Sequence, residues 1–362
     1  MYLKRVAITN FKNIQEAHLE FSSKINCISG NNGEGKTNLL DAIYYLSMTK
    51  SFFLSSDAFT FTFEKDFCAL NGSYVCADNT EDNVSIGLKK EGDKVVKRNG
   101  KAYKRIAEHI GLYPIVMVSP ADTILVSGAG EERRRFLNII LSQLDKEYLK
   151  KAQAYNQLIL QRNKLLKMPN LSFDLLETID LQLSINASYI FEKRKELCEN
   201  LKGRVAEFYA KLSGEKEKID MEYISDLRKS DLFSLLSGVR ERDLFLKHTS
   251  VGVHKDDVEF ILNGMPLKKC GSQGQQKSFL ISLKLAQFEI MQQLHGVAPI
   301  LLLDDVFDKL DIQRVEFLLS LVSNDNFGQI FISDSNKIRM QSIVERFTDE
   351  CKTFEVTGGV YR

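Results

Sequence analysis

Apolar and polar positions alternate along the opening stretch of the chain, with Val6 and Ile8 followed by Leu19 and Phe21, which predicts short strands. The alternation gives way to Ile25-Asn26-Cys27-Ile28-Ser29, a mostly apolar run that predicts a short buried strand. Beyond a glycine-rich segment, Asn38-Leu39-Leu40-Asp41-Ala42-Ile43-Tyr44-Tyr45-Leu46 carries apolar residues at helical spacing. Residues 59–103 return to strand-like patterning, with hairpin turns expected at Asn71-Gly72 and Asn99-Gly100. Pro114-Ile115-Val116-Met117-Val118 predicts another buried strand, ended by Ser119-Pro120. From 131 to about 212 one glycine and Pro169 alone interrupt long amphipathic runs, so a lobe of antiparallel helices is expected there. From Val258 onward strand and helix signals alternate again, with Asn263-Gly264 as a hairpin turn. The pattern predicts an α/β chain in which a helical lobe, 131–215, is inserted between an N-terminal part, 1–130, and a C-terminal part, 216–362.

A length of 362 residues exceeds one ordinary core and agrees with two lobes. The net charge of +1 gives no global attraction to nucleic acid or membrane, so any polyanion site must arise from local clustering. Six cysteines, at 27, 68, 76, 198, 270 and 351, form no CxxC pair and no histidine-spaced ligand set. That pattern argues against a zinc site or a disulfide framework and for reduced thiols in a cytoplasmic protein. Met1-Tyr2-Leu3-Lys4-Arg5 lacks an apolar signal core, and no uncharged stretch approaches the length of a membrane span, so a soluble, unexported chain is expected.

Three motifs carry chemistry. Gly30-Asn31-Asn32-Gly33-Glu34-Gly35-Lys36-Thr37 fits G-x-x-x-x-G-K-[ST] between a predicted strand and a predicted helix. Glycines let the backbone curl so that successive N–H groups face phosphate oxygens, and the helix adds its positive end. Lys36 is expected to neutralise the β and γ phosphates of a nucleoside triphosphate, and the Thr37 hydroxyl to ligate Mg²⁺. Pro299-Ile300-Leu301-Leu302-Leu303-Asp304-Asp305 is an apolar strand ending in two carboxylates, the pattern of a Walker B strand. There Asp304 is expected to hold Mg²⁺ through water and Asp305, the catalytic residue, to polarise the attacking water. Between them, Cys270-Gly271-Ser272-Gln273-Gly274-Gln275-Gln276-Lys277-Ser278 precedes a helix reaching Leu294. Alone it reads equally as a polar helix N-cap; in this order it resembles the ABC signature, whose Ser and Gly bind the γ phosphate held by another subunit.

The three motifs, with Ile8-Thr9-Asn10-Phe11-Lys12-Asn13, Ser119-Pro120-Ala121-Asp122, Glu131-Glu132-Arg133-Arg134-Arg135-Phe136-Leu137-Asn138, Gly252-Val253-His254-Lys255-Asp256-Asp257 and Val306-Phe307-Asp308-Lys309-Leu310-Asp311, resemble the bacterial RecF family in order and through essentially the whole length. Thr37 and Ser272 stand 235 residues apart, too far for a transporter nucleotide domain and too near for the long coiled coil of SMC proteins. The resemblance implies an ABC-type ATPase head, a P-loop NTPase related to SMC heads, with an inserted helical lobe. It implies ATP and Mg²⁺ as cofactors, with the nucleotide contacted by Gly30, Asn31, Asn32, Gly33, Glu34, Gly35, Lys36, Thr37 and Asn38 of one subunit and Ser272, Gly274 and Gln275 of the other. It further implies an ATP-dependent homodimer with weak, DNA-stimulated ATPase activity that binds DNA at single-strand gaps and adjoining duplex. RecR and RecO are the implied partners, and RecA loading in repair, replication and the SOS response the implied role. The alternatives are another SMC-like ATPase, or a nucleotide-gated DNA-binding scaffold with negligible turnover.

Several positions depart from the family pattern: Ala121 replaces an acid, Val253 a proline, and Asp308-Lys309 the usual Ser-Glu or Ala-Glu. The strand near Ser119 offers no Q-loop glutamine, and Gln329-Ile330-Phe331-Ile332-Ser333-Asp334 ends without a switch histidine. His254 reads equally as a functional or a packed residue. Residues 89–105 hold eight basic side chains against two acids, and 131–168 nine against four. Such clusters read either as solvated faces or as sequence-neutral phosphate contacts. Lys97, Arg98, Lys101, Lys104 and Arg105 are the candidate DNA contacts. Arg133, Arg134 and Arg135 open a helix where the dipole disfavours cations, so they either grip DNA or brace an interface against an acidic partner.

Overall fold

The computed structural model describes residues 1–214, 217–307, 315, 327–346 and 351–362. The alternating opening stretch folds as β1 (Tyr2–Phe11) and β2 (Ile14–Glu20), an antiparallel pair whose register sets Val6 opposite Leu19 and Ile8 opposite Ala17. With β4 (Phe67–Val75), β5 (Glu81–Lys89), β6 (Val95–Arg98) and β7 (Lys101–Ala102) they make an antiparallel sheet ordered β2-β1-β4-β5-β6-β7. The near-continuous apolar runs go elsewhere. β3 (Ile25–Ser29), β8 (Ile115–Val118), β12 (Ile300–Asp304), β13 (Ile330–Asp334) and β14 (Cys351–Thr357) lie parallel in the order β14-β3-β13-β12-β8, with β15 (Val360–Tyr361) antiparallel on the outer edge of β14. Every residue of β8, β12 and β13 is buried, which is why these strands read as apolar runs rather than alternations.

Helix α1 (Lys36–Met48) packs against β1 and β4 of the first sheet and β12 and β13 of the second. Its apolar residues from Leu39 to Met48 are buried on every side, as a helix enclosed between two sheets requires. This packing corrects one expected turn. Asn71-Gly72 lies in the middle of β4, with Gly72 paired to Val6 of β1 and Val84 of β5. A Cβ at Gly72 would sit 2.9 Å from the Leu46 side chain and 3.2 Å from that of Leu3, so the glycine lets the helix approach the strand. The chain reverses instead at 76–80, where Asn79 takes φ 63°. The turns at Asn99-Gly100 and Asn263-Gly264 form as expected, with φ 49° and 78° in the first and 49° and 81° in the second.

The chain clusters into two units, 1–122 with 287–362, and 123–286. The first holds both sheets above. The second begins with α2 (Ile124–Ser127) and, where a lobe of helices is expected between 131 and 215, contains three long ones: α3 (Gly130–Leu144), α4 (Lys146–Leu165) and α5 (Phe173–Ser213). It continues through β9 (Ile219–Ile224), α6 (Leu232–Gly238), α7 (Arg240–Leu246), β10 (Asp257–Leu262), β11 (Met265–Pro266) and α8 (Leu267–Cys270). Residues 217–286, grouped on the sequence with the C-terminal part, thus cluster with the helices, and the boundary between 215 and 216 lies outside the described residues. The division at 286 falls within α9 (Gln273–His295), and α10 (Lys337–Arg346) belongs to the first unit. Inside the second unit Arg162 of α4, wholly buried, donates to Asp180 of α5 at 2.6 Å and to Asp243 of α7 at 2.6 Å. Removal of any one partner would strand a buried charge.

Candidate functional site

The glycine-rich segment leaves the carboxyl end of β3 and turns into α1 with Gly33 at φ 86° and Gly35 at φ 121°, conformations open to glycine and costly for other residues. Lys36, buried, folds its ammonium back onto the loop, donating to the carbonyls of Gly30 at 2.8 Å and Asn31 at 3.1 Å. Asn38 donates to the Asn13 side-chain oxygen at 2.7 Å, and Asn13 in turn donates to the Glu34 carbonyl at 3.2 Å. The Thr37 hydroxyl lies 3.0 Å from each Asp304 carboxylate oxygen.

Asp304 ends β12 opposite Ser333 of β13, whose hydroxyl donates to Asp304 Oδ1 at 2.6 Å. Burial pushes the Asp304 carboxyl above its ordinary range, opposed by the Ser333 and Thr37 hydroxyls and reinforced by the charge of Asp305. Asp305 steps off the strand at φ 44°, its N–H directed at the Ser333 carbonyl, 3.1 Å, and hydroxyl, 3.2 Å. Aspartate is among the few residues tolerated there.

Amide donors, the helix N-terminus and a buried lysine suit a polyphosphate. A threonine hydroxyl beside one desolvated carboxylate suits a hard divalent cation that takes its remaining ligands from phosphate and water, so the residues fit Mg²⁺. No group of three or more His, Cys, Asp or Glu side chains placed to hold a metal exists among the described residues.

In the second unit, Ser272 and Gln275 form a reciprocal capping box at the start of α9. The Ser272 N–H donates to Gln275 Oε1 at 2.6 Å, and the Gln275 N–H to Ser272 Oγ at 3.3 Å. Gln275 is further held by Glu217 at 2.6 Å, Ser272 is exposed, and Gly274 is half-buried. The segment is therefore an N-cap, and the exposure of Ser272 leaves it open to a ligand as well. Asp308, Lys309, Leu310 and Asp311 lie outside the described residues.

The basic cluster at 89–105 does not form one face. Lys94 is tied to Asp57 at 2.6 Å and to the Thr49 carbonyl at 2.8 Å. Arg98 donates to buried Asp82 through Nε at 3.0 Å and Nη2 at 2.5 Å. Burial raises the Asp82 carboxyl, but donors from Arg98, Asn99 and Tyr113 outweigh it and leave it below the usual carboxylate range. Lys97 pairs with Ala102 and Arg98 with Lys101 across the hairpin, so Lys97 points to the face opposite Arg98 and Lys101. Lys97, Lys101, Lys104 and Arg105 are exposed; Arg98 acts as a tie within the sheet.

Arg133 has the acidic partner that its place at a helix start requires. It grips Asp257 of β10 at 2.6 and 2.9 Å, while Arg134 donates to the Asp256 carbonyl at 2.6 Å. His254 is packed: Tyr155 donates to its Nδ1 at 2.8 Å and its Nε2–H reaches the Thr249 carbonyl at 3.2 Å. Burial lowers its pKa to about 4, leaving it neutral at pH 7.

Two contributors lie outside the three motifs that carry chemistry. Ser333 is signalled only by its place at the end of an apolar strand, and Asn13 only as the last residue of the segment Ile8-Thr9-Asn10-Phe11-Lys12-Asn13, with no role attached.

The site and sheet define a class, the ABC-type ATPase head of SMC type with an inserted helical lobe. The family model described as RecF/RecN/SMC N terminal domain matches residues 2–352. A solved Smc head domain from Pyrococcus furiosus superposes over 100% of this chain and 95% of its own with a TM-score of 0.58 at 17% identity, a likeness of fold alone. Within that class, the DNA replication and repair protein RecF of Parabacteroides distasonis is 44% identical over 99% of this chain and 98% of its own length. That of Bacteroides thetaiotaomicron is 42% identical over 99% and 98%. A solved structure of the recombination mediator protein RecF with ATP in the RecFOR pathway superposes with a TM-score of 0.90 at 31% identity, over 100% of this chain and 97% of the other. The chain belongs to the RecF family.

Proposed function

We propose that this chain is an ATP-gated DNA-binding recombination mediator. The observation that carries the reading is the meeting of the phosphate loop with the buried acid of β12, Thr37 against Asp304 at 3.0 Å, beside an ammonium that already faces the loop carbonyls. The likeness to a RecF structure holding ATP supports the same ligand. On binding, Lys36 would leave the Gly30 and Asn31 carbonyls for the β and γ phosphates, and the amides of 33–37 would take the remaining oxygens. Thr37 and Asp304 would hold Mg²⁺, which supplies charge neutralisation at the phosphates. Asp305 would orient the attacking water.

Ser272, Gly274 and Gln275 would meet the nucleotide of a second copy, so that two ATP molecules close a head-to-tail homodimer around DNA. Hydrolysis would remove the γ phosphate that both copies share and release the DNA. The exposed cations Lys97, Lys101, Lys104 and Arg105 would contact phosphates without reading sequence. DNA at single-strand gaps and adjoining duplex, RecR and RecO as partners, and help to RecA loading in repair, replication and the SOS response complete the reading. No helix among the described residues is long and apolar enough to cross a membrane.

ATP hydrolysis measured with and without gapped DNA tests it. Weak turnover stimulated by DNA is expected. Tight ATP binding with no turnover under either condition would leave the nucleotide-gated scaffold, and no ATP binding would end the reading.

A further inference from the structure

The loop that cradles phosphate must present its N–H groups in one direction. In a trans peptide the carbonyl of one residue points opposite to the N–H of the next. Whatever holds the carbonyls of Glu34 and Gly35 therefore aims the amides of Gly35 and Lys36. The hairpin of β14 and β15 reaches both, adding to the Asn38 and Leu39 N–H groups of α1 that already donate to the Gly35 carbonyl at 3.0 and 3.1 Å. Gly359 donates its N–H to the Glu34 carbonyl at 2.9 Å, and the Tyr361 hydroxyl donates to the Gly35 carbonyl at 3.0 Å. The Gly358 N–H donates to the Glu34 carboxylate, which keeps that negative charge on the hairpin side of the loop.

Shape enforces the same contact. A Cβ at Gly30 would stand 2.6 Å from the Val356 carbonyl oxygen, and one at Gly359, already at φ 80°, 2.6 Å from the Asn13 carbonyl oxygen. At Gly30 and Gly359 the loop, the hairpin and the β1–β2 turn thus meet backbone to backbone, with no room for a side chain at either position. The two strands involved, β3 and β14, are parallel neighbours, which fixes the hairpin to the strand from which the loop departs.

We propose that the β14–β15 hairpin is a clamp that preorganises the phosphate loop, with Tyr361 and the amides of Gly358 and Gly359 acting as positioning residues for nucleotide binding. The proposal rests on the ATP reading above and deepens it. The clamp touches loop carbonyls and none of the N–H groups proposed to meet phosphate, so its effect would reach the nucleotide through the peptide planes it holds.

The test is Tyr361→Phe in the full chain, which removes one hydroxyl and no packing, together with Asn13→Ala, which removes a second hold on the Glu34 carbonyl. Two readouts are taken: ATP affinity with Mg²⁺ by calorimetry, and amide hydrogen exchange across residues 30–38 without nucleotide. Each variant is expected to bind ATP about five-fold more weakly, the worth of one hydrogen bond. Exchange at Gly35 and Lys36 is expected to quicken while the thermal midpoint without nucleotide stays near that of the parent. Parent-like affinity of Tyr361→Phe overturns the clamp while leaving the ATP reading intact, whatever Asn13→Ala shows, as does unchanged exchange at Gly35 and Lys36. A parent protein that binds no ATP overturns both.

Discussion

The Thr37 hydroxyl meets both carboxylate oxygens of Asp304 at 3.0 Å across 267 positions of sequence. The sheet order explains the meeting. Thr37 follows β3, Asp304 ends β12, and the strand between them is β13, which contributes Ser333 to the same carboxylate at 2.6 Å. Three parallel strands thus deliver their carboxyl ends to one crevice, where α/β sheets place their ligands.

Lys36 and Asp305 act at different steps, and single substitutions separate them. Lys36→Ala is expected to abolish measurable ATP binding, since the phosphates lose the one buried ammonium in the loop. Asp305→Asn is expected to retain ATP affinity and lose roughly a hundred-fold or more in hydrolysis. Asparagine accepts the left-handed conformation seen at φ 44°, so folding is not the confounder. Single-turnover phosphate release checks the pair, and an Asp305→Asn protein that hydrolyses at the parent rate refutes the assignment.

Reversal to glutamate of Lys97, Lys101, Lys104 and Arg105, with Arg98 left in place, is expected to weaken DNA binding for every sequence and to flatten its dependence on salt. Arg98→Ala should instead act on stability, lowering it by about 1–3 kcal/mol because Asp82 loses its charged donor. Binding titrations at several salt concentrations distinguish the two. An unchanged salt slope in the quadruple variant would reduce the cluster to a solvated face.

Ser272→Arg removes the cap of α9 and puts a bulky cation where a second copy's nucleotide is proposed to sit. The lost cap is expected to cost about 1 kcal/mol of stability. ATP affinity of the single chain should survive, because the phosphate loop belongs to the other unit. Dimerisation on adding ATP, read by light scattering, and hydrolysis should both disappear. A variant that still dimerises would require a site completed within one chain.

His254 supplies a pH dependence of definite sign. Its folded pKa of about 4 lies below the ordinary 6.5 because it is buried, with the Thr249 carbonyl opposing the shift and Lys255 adding to it. Between these values the unfolded chain binds the extra proton, so stability falls as pH drops from about 6.5 toward 4 and is recovered above that window. Denaturant unfolding of the parent and of His254→Gln should show the variant losing less stability over this window. Equal slopes would mean that the imidazole is solvated.

Local chemistry in the sequence was sufficient for what depends on near neighbours. The strand-loop-helix context of 25–46, the acid-tipped apolar strand before Asp305 and the long helices after 131 follow from periodicity and from glycine and proline placement, because their causes lie within a few residues. The tight turns at Asn99-Gly100 and Asn263-Gly264 are of the same kind. Gly72 shows the limit: its sequence reads as a turn, but its reason is Leu46, which reaches it only when α1 lies across β4. Only the tertiary structure could decide which cations are spent. Arg98 and Lys94 count toward a basic patch in the sequence, and the folded sheet pairs them with Asp82 and Asp57. Ser333 and Tyr361 reach the site from strands remote in sequence, and no local pattern marks them, since what they supply is a hydrogen bond in a place that only strand order and packing create.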